Sequence, residues 1–123
     1  MRPPENLAFV LVLSFFLLNA CAKISTEAVD FPQRDRQTLH KFAYANCLFQ
    51  YFKKKGYSLE DIQAISGGYL ETSSIPAKTF HDITQHVKLY APDIRSKHNI
   101  DPSLYKCFFL ENSEELNKLI SNW

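Results

Sequence analysis

The chain has 123 residues, 46% of them hydrophobic and 22% charged, which allows one globular domain and argues against a globally disordered chain. A formal net charge of +1 gives no electrostatic argument for nucleic acid or an anionic membrane as partner.

The first element in chain order is an export signal. Arg2 precedes an apolar run from Leu7 to Leu18 that only Ser14 interrupts. As a helix the run spans roughly 18 Å, well short of the roughly 30 Å hydrocarbon core of a bilayer. A cleaved signal peptide over residues 1–22 is therefore expected rather than a membrane anchor. Two cleavage patterns compete. Ala20-Cys21-Ala22 is an A-x-A site that releases a soluble chain beginning at Lys23. Leu18-Asn19-Ala20-Cys21 resembles a bacterial lipobox and would make Cys21 a lipidated first residue, although Asn19 is not the usual small residue there. The soluble form is preferred, with membrane association only if Cys21 is lipidated.

Either pattern resolves the odd number of cysteines, because Cys21 is removed or capped and Cys47 and Cys107 remain. In an oxidising compartment one disulfide is expected, closing a loop worth about 4 kcal/mol on the chain-entropy account. Two buried free thiols are the alternative.

Residues 23–34 lack strong periodicity, contain Pro32, and read as a tether. The domain proper is expected over 35–123. From Asp35 to Lys55 there is no Gly or Pro. Leu39, Phe42, Ala43, Cys47 and Tyr51 recur at helical spacing, with Phe49 and Phe52 widening the stripe. Lys53 to Lys55 suit the negative end of the helix dipole, and Gly56 suits the position just past it. Ser58 is the expected cap of a second helix with Glu60 and Asp61 in its first turn and Ile62, Ile65 and Tyr69 on its apolar face. Gly67-Gly68 inside this pattern implies close helix packing or early termination; the functional alternative is a backbone surface that a partner approaches. Pro76 opens a third helix with Phe80, Ile83, Val87 and Tyr90 facing inward, and Pro92 ends it. After a polar connection, Asp101-Pro102 starts a fourth, with Leu104, Cys107, Phe108 and Leu110 inward. Asn112 to Glu115 begins a short last helix carrying Leu116, Leu119 and Ile120. With no sustained alternation of period two, the expected fold class is all-α: a bundle of four to five helices stapled by one disulfide.

Signals for catalysis are missing. His81 and His86 are five apart and fall on different helix faces, while His40 and His98 are isolated, so no metal site is expected. There is no nucleophile elbow, phosphate loop or dinucleotide fingerprint. A cysteine nucleophile would need a free thiolate, which a disulfide removes. Glu60-Asp61 and Glu114-Glu115 are explained by helix first turns. No cofactor is expected and the chain is read as a non-enzyme. Some of the ten Phe and six Tyr exceed what a small core needs and suit a protein interface.

The segments Tyr44-Ala45-Asn46-Cys47-Leu48, Gly68-Tyr69-Leu70, Tyr90 to Lys97 and Tyr105-Lys106-Cys107 together resemble, over roughly residues 38 to 120, the type VI secretion amidase immunity proteins (the Tai and Rap group). The resemblance implies a periplasmic, helical, often dimeric protein. Such a protein binds a peptidoglycan amidase delivered by neighbouring cells, a cysteine peptidase, and occludes its cleft. It also implies that Cys47 and Cys107 form the family's structural disulfide. The polar loop Asp93 to Asn99 is the expected insert, with Arg95, Ser96, Lys97 and His98 as partner-binding residues; Glu71 to Ser74 is the second choice. A small envelope lipoprotein that binds no amidase is the competing reading.

Overall fold

A computed structural model describes residues 31–123. The expected export signal, Cys21 and the start of the expected tether lie outside the described residues. The described chain is all-helical: α1 (Phe31–Lys55), α2 (Glu60–Glu71), α3 (Ala77–Leu89), α4 (Pro102–Leu110) and α5 (Glu114–Ser121). The long α1 is the axis. Each of the other four helices packs on it, and α3 also touches α5.

Helix α1 takes in residues 31–34, earlier than the Asp35 start expected from sequence. Pro32 sits in its first turn, where the missing N–H has no intrahelical partner to lose. At the other end Gly56 adopts φ +73°. Its N–H donates to the Lys53 carbonyl at 3.3 Å and the Tyr57 N–H to the Phe52 carbonyl at 3.0 Å. This pair of bonds is a Schellman motif, and the Phe52 and Tyr57 rings close it at 5.7 Å. Helix α2 is capped at Leu59 without a side-chain bond; Ser58 lies one position too early for its hydroxyl to serve. Pro76 is the residue before α3, flanked by the buried Ile75 and Phe80 at the two positions of a hydrophobic staple. Asp101 accepts from the Ser103 N–H at 2.8 Å to cap α4, and Ser113 accepts from the Leu116 N–H at 3.2 Å to cap α5.

One apolar cluster joins Leu39, Phe42, Ala43 and Cys47 of α1 to Phe80, Ile83 and Val87 of α3, Leu110 of α4, and Leu116 and Ile120 of α5. Phe42 meets Phe80 edge-on at 4.8 Å. Cys47 and Cys107 are disulfide-bonded, with Cα atoms 5.6 Å apart, and both are fully buried. The bond ties the middle of α1 to α4.

Three further expectations are corrected. Phe108 is 54% exposed rather than inward, and Ile65 is 51% exposed. Cys107 and Leu110 are the buried residues of α4, so the rotation of about 100° per residue turns Phe108 away from the core side. Ile62 is the fully inward residue of α2, and Ile65 falls to its flank. Gly67 and Gly68 neither end α2 nor pack closely, because a Cβ built at either meets nothing within 4 Å.

Candidate functional site

The connection from α3 to α4, residues 90–101, is the longest between described helices, and its two ends are held by different means. At the start Tyr90 is half-buried against the core, with its ring 6.0 Å from that of His86. Burial raises the Tyr90 phenol above its ordinary range, and the nearby Glu115 carboxylate adds to the effect. Pro92 and Ile94 are half-buried as well. At the far end Asp101 caps α4 and forms an ion pair with Lys55 at 2.5 Å, while the Lys54 ammonium donates to the Ser103 hydroxyl at 2.8 Å. The lysine run therefore does more than face the helix dipole: it fastens the end of α1 to the start of α4. The Lys55 partner, followed by the Ser103 N–H, holds the Asp101 carboxyl below the usual carboxylate range. Asp101 in turn raises Lys55.

Between these ends every residue from Arg95 to Ile100 is exposed. The four residues singled out from sequence lie together on this segment. Arg95 pairs with Asp93 at 3.4 Å across two exposed side chains. The His98 N–H donates to the Ser96 hydroxyl at 3.0 Å, and the Ile100 N–H to the His98 carbonyl at 2.9 Å. These contacts stay within the loop, so they shape it without covering its side chains. An exposed loop on fixed ends suits recognition.

The second-choice segment is less open. Ser73 is half-buried, and its hydroxyl is buried without a hydrogen-bond partner. It lines a small cavity of about 50 Å³ with Asp35 and Thr38.

Two features went unread in the sequence. The first is the outward side of α4, where Phe108 and Phe109 are 54% and 45% exposed. Phe108 lies edge-on to Tyr44 of α1 at 5.8 Å, and Tyr105 to Phe109 at 4.9 Å. The spacing of Cys107 and Leu110 marks the buried side and would have revealed it. The second is a groove of about 320 Å³ between residues 90–94 and the first turn of α4, reaching Lys106. No local pattern signals it, because its walls come from opposite ends of the loop.

Among the described residues no three of His, Cys, Asp and Glu gather as a metal site, and no helix is long and apolar enough to cross a membrane. A family model described as Tai4, type VI secretion system (T6SS), amidase immunity protein, matches residues 37–120. No curated protein and no solved structure gives a significant match.

Proposed function

The chain belongs to the Tai4 family of type VI secretion amidase immunity proteins, and from this premise we propose that it is a periplasmic inhibitor that binds its cognate peptidoglycan amidase and blocks the cleft sterically. It acts by binding and not by catalysis. The observation that carries the mechanism is the exposed run Arg95 to Ile100 held between a half-buried Tyr90 and a capped, ion-paired Asp101. A segment fixed at both ends loses less conformational entropy on entering a cleft than a free one. Arg95, Ser96, Lys97 and His98 are the contacts we assign to the amidase. A homodimer is part of this reading, and the exposed Phe108 and Phe109 are apolar side chains of the kind that a subunit interface covers.

The test uses the purified mature chain and the amidase encoded beside it. Tight binding with loss of peptidoglycan cleavage is expected. Arg95→Ala with Lys97→Ala should weaken binding roughly 10-fold or more, as removal of charged contacts at an interface does. Unchanged affinity of the double variant removes the loop from the mechanism. Absence of binding by the folded wild type overturns the immunity reading for this amidase.

A further inference from the structure

The groove beside the loop holds a cation, Lys106, that has no counter-ion among the described residues. Lys106 is half-buried, and its ammonium makes one long hydrogen bond, 3.4 Å, to the Tyr90 carbonyl. Asp93, the acidic residue among the groove's lining, is paired with Arg95, and Asp101 at the start of α4 is engaged with Lys55 and the Ser103 N–H. Burial lowers the Lys106 ammonium from its ordinary range, and the neighbouring Lys54 lowers it further; no acid opposes either effect. A partly desolvated, unpaired charge is costly to hold. The same lost hydration strengthens its attraction for an incoming anion.

The rest of the groove defines what kind of anion fits. Its walls include Pro92, Ile94 and Pro102, and the Ser103 hydroxyl lies at the same opening as Lys106. That hydroxyl accepts from Lys54 and keeps its own proton to donate. Apolar side chains interleaved with a cation and a hydroxyl suit a carboxylate on a methylene stem better than a bare inorganic anion. We infer that this groove receives an acidic side chain of the bound amidase, with Lys106 as its counter-ion and Ser103 as its hydrogen-bond donor. The inference rests on the immunity reading and extends it: the loop and the groove, which share Asp93 and Ile94, form one continuous effector-facing surface.

The test is Lys106→Met, which keeps the length of the stem and removes the charge. Amidase affinity is measured at low and high salt, beside the thermal unfolding of each free variant. The expected result is a roughly 10- to 100-fold weaker complex with a shallower salt dependence. Unfolding should come at or above the wild-type temperature, because an unpaired cation has been removed. Lys106→Arg should recover much of the affinity. Lys106→Gln makes the same test if the Met variant does not fold. Wild-type affinity in the charge-removing variant overturns the groove assignment and leaves the immunity function standing. Wild-type protein that does not bind the amidase overturns both.

Discussion

Removing the Cys47–Cys107 bond should take away a large part of the domain's stability, and the loss can be worked from the fold. The bridged residues are 60 apart in sequence, which on the chain-entropy account corresponds to about 4 kcal/mol of constraint on the unfolded chain. Ordinary domains are stable by only about 5–15 kcal/mol. For a domain of this size the loss corresponds to a fall of roughly 15–30 °C in unfolding temperature. Both cysteines are fully buried, so replacing either with Ala also leaves a small void, costing about 1 kcal/mol or less. The experiment compares Cys47→Ala, Cys107→Ala and the double variant by urea unfolding. Either single change opens the same loop, so the double should lose about as much as each single and not their sum. The dependence on urea should steepen in all three, because an uncrosslinked unfolded chain exposes more surface. A double-variant loss below about 1.5 kcal/mol, or single losses that add, would refute the argument that the bond acts mainly by restricting the unfolded chain.

The glycines should separate by backbone conformation. Gly56→Ala forces a Cβ into the left-handed region at φ +73° and should cost about 1 kcal/mol in chemical denaturation. Gly67→Ala and Gly68→Ala face open space inside α2 and should each stabilise the free protein by about 0.5–1 kcal/mol. A loss of amidase affinity in the stabilised variants would mark this strip as a surface that the partner approaches closely. Asp101 carries a pH dependence. Its carboxyl is held down by Lys55, so its contribution is present above the unfolded carboxylate value of about 4 and is lost as pH falls through the lower folded value. Asp101→Asn keeps a capping oxygen and removes the charge. It should unfold below the wild-type temperature at neutral pH, and the two curves should converge as the pH falls through the lowered folded value. A gap that persists in acid would show that the ion pair is not its source.

The helices and most of their ends, though not the starts of α1 and α2, were determined by the sequence, because capping and periodicity depend on residues a few positions apart. Asp101-Pro102 and Ser113 mark the starts of α4 and α5 through side-chain bonds that span two or three residues. Gly56 ends α1 through bonds that span three and five. The cysteine pair was also legible, since the expected export signal would leave two cysteines and an oxidising compartment favours joining them. The family resemblance likewise rested on short segments that fall within the matched residues 37–120.

Only the tertiary structure decided which way the helices face. Phe108 and Ile65 look inward by spacing, yet the core side of α4 is set by Cys47, sixty residues away, and that of α2 by its packing on α1. Gly67 and Gly68 suggest contact, yet no neighbouring element arrives there. Lys54 and Lys55 read as a solvated helix end until α4 is placed beside them. Lys106 becomes a groove cation with no counter-ion among the described residues only once residues 90–94 are placed beside the first turns of α4. Short-range signals fix where an element begins and ends; its orientation is settled by burying apolar area against residues far along the chain, which no local pattern encodes.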